Sequence, residues 1–177
     1  MHPAIHNPRT GQRMTFVTDA PELLEIDTVN PPSEIHEPEH VHPRQESGAL
    51  VTAGALVFEV DGVERRVAAG ESIDIPANTP HRFWNDGDED AHARQWFRPS
   101  LNTRSFFETF FALARADELD EDGMPSFLQI AVMIPEFSDV IRTTRPPWPV
   151  QKAAAAIVGP VARRRGYRAT RASVVPT

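Results

Sequence analysis

A chain of 177 residues with 40% hydrophobic and 24% charged content has the size and composition of one compact domain with its own core. It contains no cysteine, which excludes disulfides and thiolate ligands, so any metal site must use nitrogen or oxygen atoms. No run approaches the roughly 20 apolar residues of a membrane-spanning helix, and the start, MHPAIHNPRTGQ, does not resemble a secretory signal. We therefore expect a cytoplasmic protein.

The net charge of −7 is unevenly distributed along the chain. All 25 acidic residues precede residue 150, whereas residues 151–177 carry six basic side chains and no acidic one. Such a basic end can bind phosphate, a membrane surface or nucleic acid, but it more often stays solvated or folds back on an acidic body. The acidic body has neither a basic stripe nor a helix-turn-helix pattern, so we expect no nucleic-acid partner and regard membrane contact as the less favoured role of the basic end.

Short apolar segments alternate with turn residues from residue 13 to residue 98, which is typical of a β-sandwich or barrel. The segments RMTFVTD and LLEIDTV mix β-branched and apolar residues and predict the first two strands. The segment ALVFEVDGVERRV predicts a hairpin, because Asp61 and Gly62 fall where a tight turn needs positive φ. The segments ESIDIPANTPHRFWN and AHARQWFRP predict further strands.

Beyond Pro99 the apolar residues repeat every three to four positions, which predicts helices. A phenylalanine stripe marks the first helix, and we expect it to pack as core that closes one side of the barrel. It consists of Phe106, Phe107, Phe110 and Phe111. The segment PSFLQIAVMIPEFSDVI predicts a second helix that kinks or ends at Pro135. The segment PPWPVQKAAAAIVGPVARRRGY is a candidate third helix, interrupted at Gly159 and Pro160.

These patterns divide the chain into three parts. We assign residues 1–100 to a β-barrel with its N-terminal strands, residues 101–165 to a helical extension packed on the barrel, and residues 166–177 to a flexible basic tail. An open barrel edge beside a long N-terminal segment favours pairing with a second subunit, so we expect a homodimer.

Three histidines carry the clearest chemical signal. His40 and His42 are two positions apart, so both side chains lie on the same side of an extended segment. His81 begins a later predicted strand, from which it can meet the first pair across a barrel. Imidazole is largely neutral at pH 7, and three histidines with a water molecule form an open site for zinc or another first-row metal.

The surrounding sequence resembles the cupin superfamily. The segment HVHPRQESGALVTAGALVFEVDG followed by GESIDIPANTPHRFWN is similar to the two cupin motifs, His-x-His before a glycine and Gly-Asp/Glu-x4-Pro-x4-His-x3-Asn. The resemblance covers roughly residues 35 to 97. It implies a mainly β fold, a jelly-roll β-barrel that here carries two or three C-terminal α-helices. It also implies that the barrel interior holds a metal or a ligand, and the metals that fit three histidines are Zn, Fe, Mn and Ni.

The sequence departs from the family pattern at the fourth metal ligand. The family has a glutamate seven positions before the motif glycine, and the corresponding residue here is Ser47, whereas Glu46 lies one position earlier. In a regular strand this places Gln45 and Ser47 on the inward face and Glu46 on the outward face. A β-bulge would turn Glu46 inward, where it would be the only nearby carboxylate able to act as a general base. We expect a three-histidine site with water, Gln45 or Ser47 nearby.

Two functions are compatible with these features. The first is a metal-dependent enzyme, an oxygenase or a carbonyl-activating isomerase or cyclase, that acts on a small organic molecule in an apolar barrel. The predicted lining residues are Gln45, Ser47, Leu56, Phe58, Ile73, Ile75 and Phe83. The second is a non-catalytic cupin that binds or senses a small ligand. Loss of the family glutamate favours this alternative, because an all-neutral ligand set holds a cation less tightly, whereas the three retained histidines oppose it.

Overall fold

The structure is a computed structural model that describes residues 4–171. It contains two antiparallel sheets and three helices in its C-terminal part, so the predicted mainly β class with C-terminal helices is confirmed. The strands are β1 (Ala4–His6), β2 (Arg13–Ala20), β3 (Leu23–Asn30), β4 (His40–Val41), β5 (Glu46–Ala53), β6 (Ala55–Val60), β7 (Val63–Ala68), β8 (Ser72–Ile75), β9 (His81–Trp84), β10 (Ala91–Arg98) and β11 (Arg142–Thr143). The helices are α1 (Thr103–Arg115), α2 (Phe127–Phe137) and α3 (Trp148–Arg164). Among these described helices, none has the length and apolar composition needed to cross a membrane.

The two sheets face each other across a shared core. One sheet has the order β1-β2-β3-β10-β5-β8 and the other has the order β11-β4-β9-β6-β7. Both sheets contribute to one apolar cluster, which consists of Ala49, Val51, Leu56, Phe58, Val67, Ile73, Ile75, Ala91 and Ala93. The predicted hairpin joins β6 to β7, and its turn residues Asp61 and Gly62 have φ values of 51° and 75°. The segments in which apolar residues alternate with polar ones are thus the strands that form the barrel walls.

Helix α1 seals the open side of the six-stranded sheet. Phe111 is buried in a cluster with Ile5, Met14 and Phe97, and Phe107 and Phe110 pack against the same cluster. The phenylalanine stripe is therefore an apolar helix face that covers the sheet, as its spacing indicated.

Helix α3 runs without interruption through Gly159 and Pro160, so the predicted break is wrong. A Cβ atom on Gly159 would lie 3.3 Å from the carbonyl oxygen of Ala131 in α2. The glycine therefore serves the close approach of two helices, which local sequence does not distinguish from a helix stop. Similarly, α2 continues for two residues beyond Pro135 and ends at Phe137.

The C-terminal extension also contributes a strand to the barrel. Strand β11 pairs with β4, so the extension contributes the edge strand of the five-stranded sheet. Thr144 adds hydrogen bonds to Glu39: its N–H donates to the carbonyl oxygen of Glu39, and its hydroxyl group donates to the carboxylate and to the same carbonyl oxygen. The extension is thereby joined to the strand that begins with His40.

The described part of the basic tail contacts the helices instead of lying free. Arg171 donates to both carboxylate oxygens of Glu118 at 2.7 Å, and its N–H donates to Thr109. The carbonyl oxygen of Arg168 accepts a hydrogen bond from Gln129. These contacts differ from the expected flexible tail for residues 166–171, because an arginine finds an acidic partner on the body, whereas residues 172–177 lie outside the described residues.

Strand β5 packs tightly against its neighbours at Gly48. A Cβ atom there would lie 2.4 Å from both the indole ring of Trp96 and the carbonyl oxygen of Ile73. We expect Gly48→Ala to lower the free energy of unfolding by about 1–3 kcal/mol, because the strand cannot relax without moving β8 or β10. Urea unfolding measures this change. Thr52→Ala, at an exposed position of the same strand, is the matched control and should change it by less than about 0.5 kcal/mol.

Candidate metal centre

The five-stranded sheet brings the three histidines together. His40 in β4 lies directly opposite His81 in β9, and His42 follows on the same side two residues later. Each of the three is 5% exposed. Their ring centroids are 4.4 to 5.1 Å apart, and one ring nitrogen from each lies within 4.8 Å of the others. The spacing in sequence and the strand pairing together form a compact cluster of nitrogen donors.

Backbone carbonyl groups fix the orientation of all three rings. The Nδ1 atoms of His40, His42 and His81 lie 3.0, 2.6 and 2.8 Å from the carbonyl oxygens of Pro38, Val140 and Thr79, respectively. Because a carbonyl oxygen only accepts hydrogen bonds, each Nδ1 carries the proton and each Nε2 keeps its lone pair. Histidine ligands in metal sites are commonly held in this way. Two of these carbonyls are local, and that of Val140 comes from the extension.

Burial keeps the three imidazoles neutral. It lowers the pKa of His40 and of His42 below 6.5, and the neighbouring His40 and His81 lower the pKa of His42 further. Burial and His40 lower the pKa of His81 to about 4. Neutral imidazole is the form that coordinates metal, so three oriented nitrogen donors fit a divalent first-row metal. Within the described residues, the cluster contains no carboxylate.

The strand that follows places Glu46 away from the histidines. Its side chain is 57% exposed and lies 3.5 Å from Arg98. The pairing of β5 with β10 is regular at this position, and its shift occurs only between His92 and Ala93, so no bulge turns Glu46 inward. Its position therefore lends no support to the expected role of Glu46 as general base.

Gln45 and Ser47 both face inward but have different surroundings. The amide nitrogen of Gln45 donates to the carbonyl oxygens of Pro99 and Ser100 and to the hydroxyl group of Thr103, at 2.7 to 3.0 Å. Gln45 thereby connects the barrel to the start of α1. Ser47, at the position of the family glutamate, lines a cavity beside the histidines.

A cavity of about 730 Å³ opens beside the histidines. Of the predicted lining residues, Ser47, Phe58, Ile75 and Phe83 line it. Leu56 and Ile73 belong to the core cluster between the sheets instead, and Gln45 is not among the lining residues either. A cavity of this volume is large enough for a substrate of several rings.

The helices contribute much of the cavity wall, which the sequence did not indicate. Their lining side chains include Phe106, Phe107, Phe110, Met133, Phe137 and Trp148. The guanidinium of Arg142 lies 4.1 Å from the ring centroid of Trp148 at the same wall. Residues of this kind look like ordinary core in a sequence, because an apolar face that packs on protein and one that faces a ligand have the same pattern.

Glu37 is a cavity residue that sequence reasoning missed. It lines the cavity, and its carboxylate accepts a hydrogen bond from the N–H of Phe83 at 3.2 Å. Burial raises the pKa of Glu37 to about 7, although His81 and the Phe83 N–H act in the opposite direction. The segment PPSEIHEPE contains three glutamates, and no periodicity distinguishes the one that turns inward. The neighbouring His36 is exposed and stacks on Trp84 with ring centroids 5.5 Å apart.

Comparison with known families identifies the central part of the chain. The family model described as "Cupin domain" matches residues 28–96, which contain all three histidines. The matched region extends from the end of β3 into β10.

Two curated relatives come from Streptomyces. Protein SchB of Streptomyces halstedii is 42% identical over 53 residues, which are 30% of this chain and 38% of that protein. The protein named polyketide synthase CurC of Streptomyces cyaneus is 40% identical over 53 residues, 30% of this chain and 34% of that protein. The match therefore spans little more than a third of either relative.

A solved structure supports the fold. KdgF from Halomonas sp. superposes with a TM-score of 0.51 at 22% sequence identity, over 56% of this chain and 89% of that one. At this identity the likeness concerns the jelly-roll fold alone.

Acidification should destabilise the metal-free protein between about pH 6.5 and 4. The buried imidazoles have folded-state pKa values below 6.5, so in this range the unfolded chain binds protons that the folded chain does not, and the free energy of unfolding falls with the pH. His81 alone accounts for about 3 kcal/mol of this loss. Thermal unfolding in the presence of a chelator, followed across this pH range, measures the effect.

Glu37 should oppose this loss. Its folded-state pKa is about 7 against an ordinary value of 4.5, so between these values the folded chain holds the extra proton and the contribution of Glu37 to stability grows as the pH falls. Glu37→Gln removes this contribution, and we expect stability to fall more steeply on acidification than in the wild type. A shallower dependence in the variant would contradict the buried position of this carboxyl group.

Proposed function

Since residues 28–96 of the chain match the cupin domain, we propose that the protein is a metal-dependent enzyme that acts on a small aromatic substrate in the barrel cavity. The observation that carries this proposal is the orientation of the three histidines: each Nδ1 is held by a backbone carbonyl, which leaves three Nε2 atoms of neutral rings for a metal. A cluster that served only packing would not need three buried imidazoles with their second nitrogens unpaired.

His40, His42 and His81 would hold the metal through their Nε2 atoms. When bound there, a first-row metal supplies Lewis acidity toward a carbonyl oxygen, and iron or manganese adds reactivity with oxygen. The remaining chemistry depends on the side chains that surround the substrate.

Glu37 is the residue that would move a proton. Its carboxylate lies in the cavity wall near His81, held by the N–H of Phe83. A carboxyl group with a pKa near neutrality can take a proton from the carbon beside a ketone and return it at another atom of the substrate. Isomerisation and cyclisation of a ketone need this transfer, so the position of Glu37 favours these reactions over oxygenation.

The apolar walls select the kind of substrate. Aromatic side chains from both the barrel and the helices, among them Phe58, Phe83, Phe106 and Trp148, line the space and make its surface mainly apolar. One curated relative is named a polyketide synthase, and polyketides are chains of ketones that cyclise to aromatic rings. We therefore propose an aromatic or polyketide-like ketone as the substrate.

A non-catalytic ligand-binding cupin is the second candidate. The observation in its favour is Ser47 at the position of the family glutamate, since the cluster then has no carboxylate among the described residues and holds a cation less tightly. Metal content separates the two candidates.

Untagged protein should contain close to one equivalent of a first-row metal. His42→Ala should lose it, because two nitrogen donors hold a cation far less tightly than three. Inductively coupled plasma mass spectrometry measures both. The control is Glu46→Gln, at the exposed position paired with Arg98, which should retain the metal. A wild type that contains no metal and cannot be loaded would favour the ligand-binding candidate.

Glu37→Gln should keep the metal and lose proton transfer. In deuterium oxide, the metal-loaded wild type should accelerate exchange of the hydrogens beside the carbonyl of tetralone, an aryl-fused ketone, as followed by NMR. Removal of the general base should slow this exchange by about 100-fold or more. Glu46→Gln serves as the matched control and should exchange at the wild-type rate. Equal exchange in Glu37→Gln and the wild type would exclude Glu37 as the base.

A further inference from the structure

The buried polar residues around the cavity fall into two groups. Eight of them have a side-chain hydrogen bond within the protein: Asn7, Asn30, His40, His42, His81, Asn85, Thr103 and Gln151. Ser47 and Gln95 are the two whose side chains have no hydrogen bond to any described residue, although they are only 5% and 6% exposed. Neither residue is among those with a fully buried, unpaired side-chain nitrogen or oxygen atom, so the polar atoms of Ser47 and Gln95 are accessible from the cavity and can pair with a group that enters it.

Ser47 and Gln95 are neighbours on one face of the six-stranded sheet. Ser47 in β5 lies opposite Phe97 in β10, and Ala49 lies opposite Gln95, so the two polar side chains are diagonal neighbours on the cavity side. The ring of Phe97 in turn contacts the ring of His42, with centroids 5.2 Å apart. The polar pair is therefore one side chain away from the histidine cluster.

The chemistry of the pair defines what it can recognise. A serine hydroxyl both donates and accepts, and a glutamine amide offers two N–H donors and one carbonyl acceptor. Neither group carries a charge, and the remaining wall is mainly apolar and aromatic. The complementary ligand is a flat, uncharged ring system with a ketone and a hydroxyl group on adjacent positions, because such a ligand presents an acceptor and a donor at one edge.

We propose that Ser47 and Gln95 bind the oxygen-bearing edge of a hydroxylated aromatic ketone and so orient it toward the histidines. The inference rests on the proposed function, since it names the substrate class of the same cavity. The two side chains are specificity-determining residues, and a site built to pair polar groups rejects an analogue that lacks them.

A matched pair of compounds tests the recognition. Acetylnaphthol, with its hydroxyl and ketone on adjacent carbons, carries the oxygens, and ethylnaphthalene has the same rings without them. Quenching of tryptophan fluorescence measures binding, since Trp84 and Trp148 line the cavity. We expect the wild type to prefer acetylnaphthol by at least tenfold, and Ser47→Ala and Gln95→Met each to reduce that preference by about three- to tenfold. Equal affinity of the wild type for the two compounds, including no binding of either, would overturn the inference.

Thermal stability provides an independent readout. Gln95→Met replaces a cavity-facing amide that has no hydrogen bond to the described residues by an apolar chain of similar length, so it should leave the melting temperature unchanged or raise it. Gln151→Met is the matched control, because that buried glutamine lines the same cavity but donates to the carbonyl oxygens of Thr143 and Pro146. It should lower the melting temperature. An equal decrease in both variants would show that Gln95 has a structural role, and would overturn the inference.

Metal analysis separates failure of this inference from failure of the proposed function. Gln95→Met and Ser47→Ala leave all three histidines in place, so both variants should contain as much metal as the wild type. A metal-containing wild type that does not distinguish the two compounds would overturn the polar pair and leave the metal centre intact. A metal-free protein that still prefers acetylnaphthol would support the polar pair and overturn the metal-dependent enzyme.

Discussion

The structure of the centre depends on three hydrogen bonds from imidazole Nδ1 atoms to backbone carbonyl oxygens. They set the tautomer of every histidine in the cluster, and burial then keeps the rings neutral. Each bond requires a particular backbone path: the irregular segment before β4, the turn before β9 and the segment between α2 and β11. The barrel and the extension therefore act together to build one set of three nitrogen donors, even though the donors themselves all come from the barrel.

The barrel and its histidines could be predicted from the sequence because their signals are local. Alternating apolar residues set the strands, Asp61 and Gly62 set the hairpin turn, and the spacing of His40 and His42 set their common side. The alternation of side chains along β5 likewise places Ser47 inward and Glu46 outward. These features depend on residues close together in the chain, where periodicity carries the information.

The missed features depend on contacts between distant segments. Glu37 lies in a segment without strand or helix periodicity, and its half-buried position results from contact with β9 beside the cavity. The carbonyl oxygen that accepts the hydrogen bond from His42 belongs to Val140, which lies 98 positions later in the chain. The phenylalanines of α1 were correctly placed on an apolar face, yet sequence could not show that this face borders a cavity. A one-dimensional pattern reports which side of an element is apolar and does not report what lies against that side.

The contact of Val140 with His42 has a consequence for how such a protein can diversify. The group that orients His42 is a carbonyl oxygen of the main chain, which every amino acid provides. Side chains of the extension can therefore change in size and shape, and with them the helical walls of the cavity, while the histidine keeps its proton and its direction. Substitutions in these walls can therefore change which ligand the cavity binds without changing the orientation of His42, as long as the path of the backbone through residue 140 is preserved.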